Sequence, residues 1–168
     1  MYKIRFNMNE QKAIECVLWF IERGETNMYN IWKMLFAAEK YSLNNYGVPI
    51  TGDTYYAMDL GTVPTVLYDI AKGKIQRKGF SKKDKDTLVA DKRYEEGWLS
   101  DSDLISLETG YNEYKGLGFH EVEDKNHKES CWKKNYIKNI SVPIPFEDFI
   151  EQDWVLDDLR GVAHRMVL

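Results

Sequence analysis

The residues best suited to metal binding or nucleophilic chemistry are three histidines and two cysteines: His120, His127, His164, Cys16 and Cys131. A structural zinc site needs four ligands with short paired spacings, whereas the two cysteines lie far apart and neither belongs to a C-x-x-C motif. Residues 127–131 place one histidine near one cysteine, which supplies too few ligands. We therefore expect no metal site, and both cysteines to be free thiols that pack in the core.

Motifs for covalent catalysis or phosphate binding are also missing from the sequence. An activated serine of the hydrolase type lies in a G-x-S-x-G turn, and phosphate-binding loops need a glycine-rich motif before a helix. Gly52 and Gly61 are isolated, and the acidic pair Asp157 and Asp158 is typical of a solvated helix face. The sequence therefore predicts a protein that is not an enzyme and needs no cofactor.

Length and composition bound the remaining classes of function. A chain of 168 residues is typical of a single domain, here residues 1–168, and a 14% aromatic fraction is typical of a folded chain. The net charge of −4 disfavours a dedicated nucleic-acid binder. The longest apolar run, residues 16–21, is much shorter than the roughly 20 residues that span a bilayer. The N-terminus has no secretory signal, so we expect a cytoplasmic protein without a membrane segment.

Two amphipathic helices are predicted near the start of the chain. Asn9 suits the N-cap of the first, Gly24 suits its end, and its apolar face has helical spacing at Ile14, Val17, Leu18 and Ile21. The second helix carries apolar residues from Ile31 to Tyr41 and ends in the Asn/Gly cluster of residues 44–47. The short connection predicts that these helices are antiparallel neighbours.

The middle of the chain predicts the only β-structure. Residues 54–58 follow a turn at residues 51–53 and have strand composition, and residues 87–90 are a second short strand that can pair with them. Gly61 and Pro64 are expected to break the first strand, with Pro64 as the first residue of a helix.

The second half of the sequence is predicted to be helical. Ser100 and Asp103 have the spacing of a capping box at a helix start, and further helices are expected at residues 119–125 and 146–165, the last with a break near Gln152. The predicted fold is therefore mainly α with some β (α+β): a compact helical domain with one small two-stranded β-hairpin.

Charge is segregated along the sequence. Residues 72–93 contain nine basic and three acidic residues, a net charge of +6, whereas residues 94–114 contain six acidic residues and no basic one. The basic stretch is either a solvated loop or a docking face for an acidic partner. Residues 104–126 also allow a helix-turn-helix, but its recognition helix would carry carboxylates towards phosphates, which disfavours DNA binding.

One ordered set of motifs resembles a known family. The segments are KMLFAAEKYSL (residues 33–43), YGVPITGDTY (46–55), Ala57-Met58, GTVP (61–64) and Leu67-Tyr68, followed by LSDSD (99–103), HKE (127–129) and Trp132. This combination resembles the Panacea (SocA-like) antitoxin domain over residues 9–150, with residues 151–168 as a C-terminal helix. The family usually has Asp at Glu39, often His at Ser42, and Pro at Thr62.

The resemblance implies a bacterial or phage antitoxin that binds and neutralises a protein toxin encoded by a neighbouring gene. A family relative acts as an adaptor that delivers its toxin to a Clp protease, so a Clp protease is a second partner in the alternative reading. A third interpretation is a DNA-binding regulator, because many antitoxins repress their own operons. The acidic balance of the chain leads us to expect no specific nucleic-acid partner.

The partner-binding surface is predicted within residues 51–93, where a glycine-marked turn and a hairpin precede the basic stretch. Turns on a rigid scaffold often carry recognition residues, and lysines steer acidic partners. The candidate residues are Asp53, Tyr55, Tyr68, Lys82 and Lys83. In the rival reading Tyr55 and Tyr68 are core residues, and an acidic C-terminal helix at residues 147–158 faces a basic toxin.

Overall fold

The structure, a computed structural model, describes residues 3–165 and is mainly helical with two small antiparallel sheets. This confirms the predicted fold class. In chain order the described elements are α1 (Glu10–Glu22), α2 (Met28–Tyr46), β1 (Tyr55–Met58), β2 (Gly61–Pro64), α3 (Thr65–Ala71), β3 (Phe80–Lys82), β4 (Leu88–Ala90), α4 (Asp101–Tyr114), α5 (Phe119–His127), α6 (Ser130–Asn135), β5 (Val142–Pro143) and α7 (Asp153–Arg165). Short 3₁₀ turns at Glu96–Trp98 and Phe146–Phe149 complete them.

Helix α2 is the centre of the domain. It is buried on most of its circumference, and its main neighbour is α4. Gly110 of α4 makes this contact very close, since a Cβ atom there would lie 2.1 Å from the carbonyl oxygen of Met34. Asn27 caps the start of α2 by accepting a hydrogen bond from the Asn30 N–H, and Gly47 ends it with φ +71°.

The predicted caps of α1 and α4 are confirmed. The Asn9 side chain accepts a hydrogen bond from the Lys12 N–H at the start of α1. Ser100 and Asp103 form the reciprocal capping box of α4, with N···O distances of 2.8 and 3.2 Å. Lys12 also forms an ion pair with Asp103 at 2.8 Å, so the start of α1 is attached to the start of α4.

The β-structure is more extensive than the predicted hairpin, and its pairing is different. Strand β1 pairs with β2 and β5, whereas Leu88–Ala90 pairs with Phe80–Lys82 rather than with Tyr55–Met58. The first sheet therefore has the order β2-β1-β5, and β3 and β4 form a separate hairpin. Pro64 ends β2 at a sheet edge, where its missing N–H costs no ladder hydrogen bond, and it precedes the first residue of α3.

Residues of the family motifs hold the chain between α2 and β1. The buried carboxylate of Glu39 accepts backbone hydrogen bonds from Ile50, Thr51 and Gly52, and burial raises its pKa while those hydrogen bonds oppose the shift. The Ser42 hydroxyl donates to the Val48 carbonyl at 2.7 Å. These buried polar residues are satisfied within the fold and serve its architecture.

Residues after α5 fold back across the first sheet. Helix α6 was not predicted, and the predicted helix at residues 146–165 is divided, as expected near Gln152, into a 3₁₀ turn and α7. Residues 166–168 of the predicted C-terminal helix lie outside the described residues. Within residues 3–165, no helix combines the length and the apolar character that crossing a bilayer would require.

Candidate functional site

A cleft of about 660 Å³ opens where α2 begins, between the β1–β2 hairpin and the β3–β4 hairpin. Its walls mix aromatic, aliphatic and charged side chains from segments distant in the sequence. We call this site the cleft; it is lined by Met28, Tyr29, Trp32, Lys33, Met58, Asp59, Leu60, Val63, Tyr68, Lys82, Lys85, Asp86, Asn139, Ile140 and Ser141.

Backbone hydrogen bonds fix the β3–β4 hairpin to the start of α2. The Met28 N–H donates to the Asp86 carbonyl at 2.7 Å, and the Leu88 N–H donates to the Thr26 carbonyl at 2.8 Å. The turn of this hairpin is closed by the Asp84 carboxylate, which accepts the backbone N–H groups of Asp86 and Thr87. The lysines of the hairpin are therefore held on a defined side of the cleft.

The opposite wall is the β1–β2 hairpin. The Asp59 carboxylate accepts hydrogen bonds from the Tyr136 hydroxyl at 2.8 Å and the Asn139 N–H at 3.2 Å, which joins the hairpin turn to residues 139–141. Two large aliphatic side chains remain half exposed at the mouth of the cleft: Leu60 at 50% and Ile140 at 54%. The mouth therefore presents apolar surface to solvent from two anchored turns.

Lys33 lies fully buried beneath the β1–β2 hairpin. Its ammonium group donates to the Thr62 carbonyl at 2.7 Å and lies 4.5 Å from the centre of the Tyr29 ring. Asn126 of α5 accepts the Thr62 N–H at 2.8 Å. The outer backbone groups of β2 at Thr62 are thus satisfied by side chains, and burial lowers the pKa of Lys33 from 10.5 to about 7, against a smaller opposing effect of Glu123.

Two polar groups among the cleft residues have no hydrogen-bond partner within the described part of the chain. They are the Tyr29 hydroxyl and the indole N–H of Trp32, and both atoms are shielded from solvent. Trp32 is 2% exposed as a residue. A buried donor without an acceptor costs about 1–3 kcal/mol, so these groups favour any arrangement that brings an acceptor to them.

The lining of the cleft carries three basic side chains, Lys33, Lys82 and Lys85, and two acidic ones, Asp59 and Asp86. Lys82 and Lys85 line it and form no ion pair within residues 3–165. Of the two carboxylates, Asp59 accepts a hydrogen bond from the Tyr136 hydroxyl, whereas Asp86 does not. A second hollow of about 560 Å³ shares Lys82 and adds Lys72 and Arg77 without an acidic side chain in its lining. The hairpin thus presents a basic edge to solvent.

The structure separates the five predicted partner-binding residues. Asp53 and Tyr55 are 1% exposed, which corrects their expected place on a surface. The Asp53 carboxylate accepts the N–H groups of Val66 and Leu67 at the start of α3, and strand alternation turns Tyr55 into the core. Both are therefore out of reach of a partner in this conformation.

The other three candidates lie in or beside the cleft. Tyr68 is half buried and lines it, Lys82 lines it, and Lys83 is exposed next to Lys82 on the same hairpin. Sequence reasoning missed Trp32 and Ile140, which come from opposite ends of the chain and carry no local motif. Lys85, by contrast, lies within the basic stretch of the sequence, which could have identified it as a candidate.

Groups considered for metal or nucleophilic chemistry are dispersed. Among residues 3–165 no three His, Cys, Asp or Glu side chains are close enough to hold a metal ion. Cys16 and Cys131 are buried free thiols, and burial raises the pKa of both, that of Cys131 to about 12. These thiols are therefore protonated at neutral pH and pack as small apolar side chains, as predicted.

The rival acidic surface is also present. Helix α7 exposes Asp157 and Asp158, and Trp154 at its start is 59% exposed. No residue of α7 lines the cleft or the second hollow.

Comparisons with known proteins give one match. The family model for the SocA-like antitoxin, Panacea domain, matches residues 31–133, which is more than half of the chain and runs from the first turn of α2 into α6. No curated protein and no solved structure matches the chain.

Proposed function

The chain belongs to the SocA-like Panacea antitoxin family, and from this premise we propose that it is the antitoxin of a toxin–antitoxin system. It neutralises a cognate toxin, encoded by a neighbouring gene, through direct protein–protein binding in the cytoplasm. It acts as a binding protein and not as an enzyme.

The cleft is the observation that carries this proposal. Protein interfaces concentrate their binding energy in a few aromatic or aliphatic residues that fill pockets, surrounded by polar residues. The cleft supplies a pocket with Trp32 and Tyr68 in its walls, exposed Leu60 and Ile140 at its mouth, and Lys82 at its rim. This combination supports binding of a protein surface.

Two alternatives make different predictions. An adaptor delivers the toxin to a Clp protease, which requires that the amount of toxin fall when the chain is present. A DNA-binding regulator requires a basic reading surface, but α5 exposes His120, Glu121 and Asp124. Neutralisation by binding is preferred because it needs only the surface described above.

Growth of cells that produce the neighbouring gene product tests the proposal. Co-expression of the chain should restore growth without lowering the amount of toxin, and it should do so equally in cells that lack ClpP. Loss of rescue in cells without ClpP would establish the adaptor alternative. Failure of rescue in both strains would refute the antitoxin role towards that protein.

Charge reversals decide between the two candidate faces. Lys82→Glu with Lys83→Glu should abolish rescue while the melting temperature stays unchanged, because both side chains are on the surface of one hairpin. Asp157→Lys with Asp158→Lys is the matched control on α7 and should leave rescue intact. The opposite pattern would assign binding to the acidic helix.

A further inference from the structure

We propose that the cleft receives an acidic segment of the toxin, in which one aliphatic or aromatic side chain enters the cleft and flanking carboxylates lie against Lys82 and Lys85. This inference rests on the antitoxin role proposed above and specifies the chemistry of the partner.

The size and lining of the cleft select an apolar anchor. Its volume of about 660 Å³ lies within the range of roughly 300–1,000 Å³ in which pockets enclose ligands. Trp32, Met58, Val63 and Tyr68 are among the apolar and aromatic residues of its wall. Burying one aliphatic or aromatic side chain against such a wall contributes favourably to binding, since it removes apolar area from water on both partners.

The rim selects acidic residues next to that anchor. Lys82 and Lys85 have no ion-pair partner within the described residues, whereas Asp59 on the facing wall already accepts two hydrogen bonds. Asp59 and Asp86 are the two carboxylates in the lining, and the basic edge continues beyond the cleft at Lys72, next to Lys82 in the adjoining hollow. Carboxylates of the partner complement this positive edge and accelerate association.

An extended peptide also supplies a hydrogen-bond acceptor to a donor in the wall of the cleft. The indole N–H of Trp32 has no acceptor among residues 3–165, and peptide carbonyls and carboxylates are acceptors. A bound segment that brings such an oxygen to Trp32, after a small adjustment of the indole, satisfies a donor that is unsatisfied in the free protein. The donor therefore contributes to binding and not to the stability of the free chain.

The apolar mouth favours a protein over a nucleic acid. A phosphate backbone would use Lys82 and Lys85 but would leave Leu60 and Ile140 without apolar contacts. A folded partner with an acidic segment covers both the lysines and the aliphatic side chains. We therefore commit to a protein segment, and binding of nucleic acid is an outcome that would contradict the proposal.

Site-specific photo-crosslinking of the complex with the neighbouring gene product tests the location. A benzophenone amino acid replaces Leu60 or Ile140 at the mouth, and Ile105 on α4 or Trp154 on α7 as exposed controls. Crosslinks from positions 60 and 140 should map to one toxin segment with net negative charge and an apolar residue. A complex that crosslinks only from the controls, or to a basic segment, would overturn the inference and leave the antitoxin role intact.

Affinity measurements with purified proteins test the chemistry. Lys82→Glu with Lys85→Glu should weaken toxin binding at least tenfold, and Lys74→Glu with Lys78→Glu, an equal charge change at exposed positions outside the cleft, should weaken it less than threefold. Trp32→Phe removes the unpaired donor together with buried indole volume, so it should weaken binding about threefold to tenfold and also lower the melting temperature. Equal losses for both lysine pairs, or tight binding of a 20-nucleotide single strand that competes with the toxin, would overturn the proposal.

Discussion

Replacing the buried lysine beneath the β1–β2 hairpin should remove most of the pH dependence of stability between pH 7 and pH 9. Lys33 is fully buried, and burial lowers its pKa from 10.5 to about 7. In the unfolded chain the same ammonium group is hydrated and keeps its ordinary pKa. Lys33→Met retains the length and the apolar stem of the side chain but has no group that titrates.

The sign and size of the effect follow from proton binding. Between pH 7 and pH 10.5 the unfolded chain binds more protons at this position than the folded chain does, so the free energy of unfolding rises with pH. Below pH 7 both states are protonated, and the cost of burying the charge is constant. Each pH unit in this window adds up to about 1.4 kcal/mol, which gives about 2 kcal/mol between pH 7 and pH 9.

Urea unfolding of both proteins at pH 7, 8 and 9 measures this difference. The wild-type free energy of unfolding should rise relative to that of Lys33→Met by about 2 kcal/mol over the range. Cys16 and Cys131 also titrate in the unfolded state, but they are common to both proteins and cancel in the comparison. Parallel pH profiles would show that the pKa of Lys33 is not lowered in the folded protein, and would refute the prediction.

Three substitutions test the fold, and a gel shift tests the alternative function of a DNA-binding regulator. Gly110→Ala should destabilise the domain by about 3 kcal/mol or more in a denaturant titration, since its Cβ atom would overlap the Met34 carbonyl; a loss below 1 kcal/mol would contradict the close α2–α4 contact. Leu18→Asp should abolish folding, as seen by circular dichroism, because it buries an unpaired charge. A wild-type melting curve for this variant would place the core elsewhere. Pro64→Ala should lower the free energy of unfolding by only about 1 kcal/mol. A gel shift at physiological salt should give no sequence-dependent DNA binding, and nanomolar binding would establish the regulator alternative.

The sequence predicted correctly the helix caps, which depend only on residues close together in the chain. Asn9 and the Ser100–Asp103 pair cap their helices as predicted, because a cap needs only the residue and the N–H groups two or three positions later. The predicted pairing of residues 87–90 with residues 54–58 was wrong, because strand pairing depends on the whole chain. Gly61 and Pro64 read as breakers, yet Pro64 occupies the permitted end of an edge strand.

The site was only partly predictable for the same reason. The basic stretch of the sequence contains the β3–β4 hairpin that carries Lys82, and its role in binding stays a prediction. Asp53 read as an exposed turn residue because the sequence does not reveal that its carboxylate caps α3. Trp32 and Ile140 line the same cleft although they are distant in the sequence, and no spacing in the sequence encodes that arrangement.

Hydrogen–deuterium exchange of the chain, alone and in complex with the neighbouring gene product, tests the central claim most directly. Binding through the cleft predicts slower exchange at residues 58–63, 82–86 and 139–141, with α7 unchanged. Slower exchange confined to Asp153–Arg165, or no change anywhere at saturating toxin, would contradict an antitoxin that binds its partner through the cleft.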